Sequence, residues 1–326
     1  MGVTGTGADA GATGVLGRRA PSEQLLALAA DVGTTDPVVA LGGRTSWTVG
    51  GSPAAEAREV AVPSGILELE PAEMTVRVLA GTTVADLDAA LAESRQCVAL
   101  PVRPGSTVGG VLALGRSGLL RLGYGPVRDT LLEARYVNAD GRLITAGGPT
   151  VKNVSGFDLC RLLVGSLGTL GILGEVVLRT RPVPEAATWM AGPADPFALR
   201  AELYRPSSLL WDGTTTWALI EGTDSDVDAG CATCATHGMV PVEGPPERPA
   251  HRASLRPSEL AGLPARLDGT RFVAEIGVGI VHAAAPIATP APSPAVRQLC
   301  ERIKTLFDPT GRLAPGRSVL ATADAP

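Results

Sequence analysis

Three short stretches of the chain set glycine beside hydroxyl side chains: 42–46, 104–110 and 165–171. Thr45, Ser46, Ser106, Thr107, Ser166 and Thr169 lie within them. A diphosphate needs several backbone N–H donors converging on it, and side chains beyond Cα obstruct that approach. Glycine clears the approach; serine and threonine add donors. Taken singly, each stretch reads more readily as a tight turn. Three of them within one segment favour a single extended, phosphate-bearing ligand. No lysine of the P-loop type follows any of them, which argues against a nucleoside triphosphate. An earlier pattern, Gly5-x-Gly7-x-x-Ala10, fits the loose dinucleotide fingerprint, but no strand precedes it to give it a scaffold.

Other chemistry has thinner support. The three histidines, His237, His251 and His282, form no HxH, HxxxH or HExxH pair. Each reads as a surface or core residue; His282, which follows the apolar run 276–281, stands out among them without being assigned a catalytic role. Cys231-x-x-Cys234 with His237 is half of a zinc or iron–sulfur ligand set, and the remaining cysteines, Cys97, Cys160 and Cys300, supply no second pair. These residues read as small side chains on an alanine-rich helix. No metal site and no catalytic residue is assigned. For Lys152 and Arg161 two readings stand: a solvated or salt-bridged face, or anion recognition and subunit contact.

The elements that must hold the three stretches follow from punctuation and periodicity. Ser22 caps a short helix through Ala30, and a strand at 38–41 runs into the first stretch. A strand at 76–80 is followed by a Thr83/Asp86 capping box and a helix burying Val84, Leu87 and Leu91. Strands at 131–137 and 142–145 flank an Asp140-Gly141 turn; 158–164 reads as helix, and the third stretch enters a strand at 172–178. After Pro184 the patterns weaken. Strands are expected at 215–220 and 272–281, between proline-rich patches at 241–249 and 286–294. Ser293-Pro294 opens a last helix with Val296, Leu299, Cys300, Ile303, Leu306 and Phe307 on one stripe, closed by Asp308-Pro309.

Composition narrows the function classes. The 326 residues carry 28 Lys+Arg against 33 Asp+Glu, a net charge of −5, which disfavours a nucleic-acid partner. Aromatic residues are 3% of the chain, too few to build stacking platforms for single strands. With 45% hydrophobic residues the chain can bury a core, one filled chiefly by Ala, Val and Leu. No run reaches the ~20 apolar residues of a membrane span, and the apolar stretch 170–178 is interrupted by Glu175. No secretory signal is read at the start of the chain, and the five cysteines are expected to be reduced thiols in a cytosol.

The succession GGRTS at 42–46, GTTVADLDAAL at 81–91, LPVRPGSTVGGVLALGRSG at 100–118, RLGYGPVRD at 121–129, NADGRL at 138–143 and VKNVSGFDLCRLLVGSLGTLGILGEVVLRTRPVP at 151–184 resembles the FAD-binding domain of the vanillyl-alcohol-oxidase/p-cresol-methylhydroxylase class. The run 152–158 ahead of Gly-Ser-Leu-Gly-Thr-Leu-Gly is closer still to E subunits of glycolate oxidase. The stretch 307–317 resembles that family's closing motif, with Ala314 where Asn often precedes the Pro-Gly. The resemblance implies an α+β fold: a flexible tail over 1–20, an FAD-binding domain over 21–184, a reduced α/β cap over 185–292, and a C-terminal helix and tail over 293–326 returning to the FAD domain. It implies noncovalent FAD, since the loops contain no His or Cys to attach it. By the same resemblance Gly42, Gly43, Arg44, Thr45 and Ser46 wrap the diphosphate. Gly105, Ser106, Thr107, Val108, Gly109 and Gly110 lie along the diphosphate and ribityl chain. Ser166, Gly168, Thr169, Gly171 and Ile172 line the cofactor, with Gly118, Tyr124 and Gly125 as further contacts.

The function so implied is an FAD-dependent oxidoreductase acting on CH–OH donors. It would be a subunit of a glycolate oxidase-like complex oxidising a small 2-hydroxy acid. Its partners would be a second FAD-binding, D-like subunit and an iron–sulfur, F-like subunit that receives the electrons. It would be cytoplasmic, with membrane association only through those partners. Because the cap lacks the histidine-rich metal site of related dehydrogenases, substrate oxidation is expected mainly at the D-like partner. Two alternatives remain: a self-sufficient FAD oxidoreductase for another alcohol or hydroxy acid, and a non-catalytic scaffold subunit.

Overall fold

A computed structural model describes residues 20–148 and 158–321. The Gly5–Ala10 pattern and the run 151–157 with Lys152 lie outside the described residues. Helix α1 (Glu23–Val32) is capped by Ser22, whose hydroxyl accepts from the Leu25 amide, and it buries Leu25, Leu28 and Val32. Strands β1 (Val38–Leu41) and β2 (Arg58–Ala61) pair in parallel as a small separate sheet. Then come β3 (Ile66–Glu70), β4 (Thr75–Leu79), α2 (Val84–Ala92) capped by Thr83, and the short β5 (Gln96–Cys97). The second glycine stretch runs into α3 (Val108–Leu114), and α4 (Arg121–Tyr124) follows. β6 (Leu131–Val137), β7 (Leu143–Gly147), α5 (Leu159–Leu163), β8 (Ile172–Arg179) and β9 (Arg181–Pro182) complete this half.

Its main sheet is antiparallel with order β3-β4-β8-β6-β7. Strands β4 and β8 are buried almost throughout, as expected of strands covered on both faces. One face carries Val76, Val78, Ala134, Tyr136, Val176 and Leu178 into a core shared with α2, α3 and α5. The other face presents Arg77, Glu133, Arg135 and Glu175 on adjacent strands, because side chains alternate along each strand. Arg77 Nη1 lies 2.9 Å from Glu133 Oε1 and 2.6 Å from Glu175 Oε1, and Arg135 Nη1 lies 3.4 Å from Glu175 Oε1. All four are at most 4% exposed. Desolvating four charges is tolerated because each cation meets two anions.

The second half is built on one seven-stranded antiparallel sheet. Its elements are β10 (Ala186–Gly192), α6 (Pro196–Glu202), β11 (Ser208–Trp211), β12 (Thr216–Gly222), α7 (Asp224–Thr236), β13 (Val240–Val242), β14 (His251–Ser254), α8 (Leu263–Leu267), β15 (Phe272–Glu275) and β16 (Ile280–Ala283). The strand order is β13-β10-β12-β11-β15-β16-β14. The run 272–281, expected as one strand, is a hairpin: Gly277 and Gly279 both take positive φ and turn β15 back into β16. One sheet face buries Ala218, Ile220, Ala253, Ala274 and Val281 with residues of α6 and α7. The opposite face carries Glu221, Arg252, Glu275 and His282, and it is turned toward the first half: Tyr124 Oη donates to Glu221 Oε2 at 2.9 Å, and α4 contacts β11.

Helix α9 (Pro294–Phe307) comes back to the first half, packing Ile303 and Phe307 on its core. Lys304 Nζ donates to the Thr169 carbonyl at 2.8 Å. The chain beyond α9 then lies along β1, with Leu313 bridged to Val38. Among the described residues no helix is long and apolar enough to cross a membrane.

Candidate functional site

The three glycine stretches converge. The first leaves β1, the second enters α3, and the third links α5 to β8. The Gly109 amide donates to the Ala80 carbonyl at 2.7 Å, and the Thr107 hydroxyl caps α3 by accepting from the Gly110 amide at 3.2 Å. The third stretch is stitched to α3 through Gly165 and Leu167 amides, donating to Leu112 and Ala113 carbonyls at 2.9 and 2.8 Å. A Cβ on Gly43 would collide with the Gly105 carbonyl oxygen, so the first and second loops approach as closely as they do only without one.

The loops line one cleft. Gly42, Gly43, Arg44, Thr45 and Ser46 line one wall; Thr107, Gly109 and Gly110 line a second; Ser166, Gly168, Gly171 and Ile172 line a third. Gly168 has φ +76° and nothing within 4 Å of where its Cβ would lie, so its backbone is bare toward the cleft. Other expected residues lie elsewhere. Gly105 backs Gly43, while Val108 is fully buried in the core. Ser106 and Gly118 line an adjoining cavity, and Thr169 lines a separate one beside α9. Tyr124 and Gly125 sit at the junction of the two halves, the Tyr124 ring carrying the Arg181 guanidinium at 4.1 Å.

Residues outside the motif assignments complete the wall. Trp47 follows the first glycine stretch directly and is flanked by two guanidiniums, Arg44 at 4.6 Å and Arg317 at 4.9 Å from its ring centroid. Such cation–π contacts fix a long cationic side chain at low entropic cost. Arg44 also pairs with Glu59. Arg317 donates to the Trp47 carbonyl at 2.8 Å, and burial pulls its pKa down. The signal for both was in plain view: Trp47 is the next residue after the first loop, and Arg317 ends the 307–317 stretch.

A second cavity adjoins the cleft, sharing Thr45, Ser46, Gly110 and Leu114 with it. This cavity lies between the two halves. Arg103 and Arg116 reach it from the first half; Arg248, Arg252 and His282 reach it from the second. Arg252 and His282 are cross-strand partners on β14 and β16, so their side chains stand together on one face. His282 Nε2 lies 3.5 Å from Glu275 Oε1, and Glu275 is buried behind it. Burial lowers the Arg116 pKa to about 10, with the Arg252 and Arg103 charges adding to the effect. Arg252 is lowered as well, by burial first, against an opposing pull from Glu275. Nothing in the sequence marked Arg248 and Arg252: one sits in a proline-rich patch and the other in a short strand.

Among the described residues the first cleft combines bare glycine backbone, four hydroxyls and two arginines with no carboxylate in its wall. That donor set fits an extended dinucleotide bearing a diphosphate. The chain has the FAD-binding fold of the vanillyl-alcohol-oxidase/p-cresol-methylhydroxylase class, and residues 22–147 match the family described as FAD binding domain. It is related to glycolate oxidase subunits of the E type and to homologous FAD oxidoreductases. It is 34% identical to glycolate oxidase subunit GlcE of Escherichia coli K12 over 156 residues, covering 46% of this chain and 44% of that one. To D-lactate dehydrogenase of Archaeoglobus fulgidus it is 38% identical over 162 residues, 48% of this chain and 36% of the relative. The chain thus spans less than half the length of these curated relatives. Among solved structures, alkyldihydroxyacetonephosphate synthase superposes with a TM-score of 0.65 at 16% identity, covering 90% of this chain and 73% of that one. Physcomitrella patens BBE-like 1 superposes at 0.59 and 14% identity, covering 87% and 86%.

Proposed function

We propose that this chain binds FAD noncovalently in the glycine-walled cleft and oxidises a small 2-hydroxy acid to a 2-oxo acid in the adjoining cavity. The observation that carries this reading is the adjacency of the two spaces: the glycine-walled cleft shares Thr45, Ser46, Gly110 and Leu114 with a cavity walled by arginine. Gly42, Gly43, Thr45, Ser46, Thr107, Gly109, Gly110, Ser166 and Gly168 hold the cofactor. Bound FAD supplies the acceptor for the two electrons that leave the substrate. Among the described residues no His or Cys lines the first cleft, which supports noncovalent attachment.

The substrate's carboxylate needs a charge-assisted, preferably bidentate partner. Arg116 and Arg252, the two half-buried arginines of the cavity, supply it. The hydroxyl proton must leave as the carbonyl forms, and His282 accepts it. With Nε2 turned toward Glu275, Nδ1 is the ring nitrogen left to take the proton, and the Glu275 carboxylate stabilises the resulting imidazolium. The expectation that oxidation occurs mainly on a partner rested on the missing histidine-rich metal site. A single histidine backed by a carboxylate supports chemistry on this chain instead. Similarity to subunit GlcE supports a place in a multi-subunit complex, with electrons passed onward to an iron–sulfur partner.

Purified protein is expected to be yellow, with a flavin spectrum released intact by heat or acid. Anaerobic addition of a 2-hydroxy acid should bleach it. A colourless protein that still assembles with partners would instead support a scaffold role. A yellow protein bleached by no hydroxy acid would leave FAD binding standing and sink the catalytic reading.

A further inference from the structure

The two guanidiniums that flank Trp47 in the wall of the glycine-lined cleft have their charges met differently. Arg44, from the first glycine stretch, is exposed and already paired with Glu59. Arg317 is half-buried, and among the described residues no carboxylate meets it. Its contacts are the Trp47 ring and the Trp47 carbonyl, and its Nε is buried without a hydrogen-bond partner. Burial pulls its pKa down, and no neighbouring charge opposes that pull. A partly desolvated cation lacking an anion is costly, and a ligand that brings the anion recovers the cost.

Backbone contacts on both sides fix where Arg317 stands. The Pro315 carbonyl accepts from the Ala54 amide at 2.8 Å, and the Ser318 amide donates to the Gly50 carbonyl at 2.7 Å. Both partners lie just beyond the first glycine stretch. Lys304 ties α9 to the third stretch through the Thr169 carbonyl. The chain beyond α9 is thus fastened across the loops and brings one unmet charge to their cleft. Arg317 also borders the cavity beside α9, but that cavity has Glu301 in its wall, whereas the cleft has no carboxylate among the described residues.

We infer that Arg317, rather than Arg44 of the loop motif, is the cation that meets the diphosphate of bound FAD, delivered to the cleft by the C-terminal segment. This rests on the proposal that FAD occupies the cleft. It assigns the principal charge to a residue far outside the stretch 22–147 that matches the FAD-binding family.

The test uses the FAD-loaded full-length chain. Affinity is read from flavin fluorescence released on dilution, and from displacement of FAD by ADP and by adenosine. Arg317→Gln should weaken FAD by about tenfold or more, the loss of one charge-assisted contact. ADP should lose a similar factor and adenosine less than about twofold, and the salt dependence of FAD binding should flatten. Arg317→Lys keeps the charge but gives up the planar stack on Trp47, so its ADP-to-adenosine ratio should be intermediate. If the Gln variant does not fold, an unchanged ratio in the Lys variant overturns the inference. Arg44→Gln should cost less than Arg317→Gln. Unchanged FAD affinity in Arg317→Gln would also overturn it, as would a larger loss in Arg44→Gln. Equal losses of ADP and adenosine would assign Arg317 a structural role only and overturn it too. All these outcomes leave FAD binding itself standing; a wild-type chain that holds no flavin sinks both readings.

Discussion

Ala314 occupies a left-handed backbone position, φ +46°, while 3% exposed and donating its amide to the Val38 carbonyl at 2.7 Å. A Cβ is disfavoured there by about 1–2 kcal/mol, and Asn, which often stands at this place in the resembled motif, tolerates the region better. The strain is held because the neighbouring residues are tied down: Leu313 bridges Val38, and the Arg312 guanidinium donates to Val32, Asp36 and Ala139 carbonyls. Ala314→Gly removes the clash and adds back about 0.5–1 kcal/mol of chain entropy cost. It should therefore raise stability by up to about 1 kcal/mol, read as an upward shift in thermal midpoint; a lower midpoint would show that the position is not strained.

At the scale of elements, the return of α9 hinges on Asp308. Its Oδ2 accepts from Lys304 Nζ at 2.6 Å and from the Leu313 amide at 2.7 Å, and its Oδ1 accepts from the Arg312 amide at 3.1 Å. Burial alone would raise its pKa, but these donors outweigh it and hold the carboxyl below its ordinary value. A depressed carboxyl contributes stability that is fully present above its unfolded-state value, about 4, and is lost as pH falls through the lowered folded value. Docking of α9 should thus weaken as pH falls below about 4. Asp308→Asn should remove this part of the pH dependence and, at pH 7, cost about 1.5–3 kcal/mol. Urea unfolding at several pH values measures both; an unchanged acid limb in the variant would assign the effect elsewhere.

Across the whole molecule, the glycine-walled cleft proposed for FAD takes its walls from loops attached to β1, α3 and β8, and Arg317 arrives from the chain's far end. A ligand there cross-links segments nearly 280 residues apart in sequence, between Gly42 and Arg317. FAD that binds only the folded state should stabilise it by about 2.7 kcal/mol at a free concentration 100 times Kd. Gly43→Ala, which pushes the first loop off Gly105, should abolish most of that concentration-dependent rise in the thermal midpoint. A variant with the full rise would show that the loop contact does not shape the cofactor site. The Tyr124–Glu221 hydrogen bond ties the two halves together where the second cavity forms between them, and the Arg181 guanidinium stacked on the Tyr124 ring steadies that tyrosine within the first half.

Local chemistry was legible from the sequence. Glycine with serine and threonine at loop positions identified the three stretches, because phosphate approach depends on backbone and small side chains that sit next to one another in the chain. Capping residues such as Thr83 and Ser293 fixed helix starts for the same reason. Tertiary pairing was not legible. Glu175 interrupts an apolar run, and only strand alignment sets it against Arg77 and Arg135. His282 has no partner histidine, and only the β14–β16 register and the facing of the two halves bring it to Arg252, Arg116 and Glu275. The sequence by itself determined which loops gather glycine with serine and threonine. Which charges meet beyond them was decided by the tertiary structure, because cross-strand register and interdomain packing join residues whose spacing along the chain carries no period.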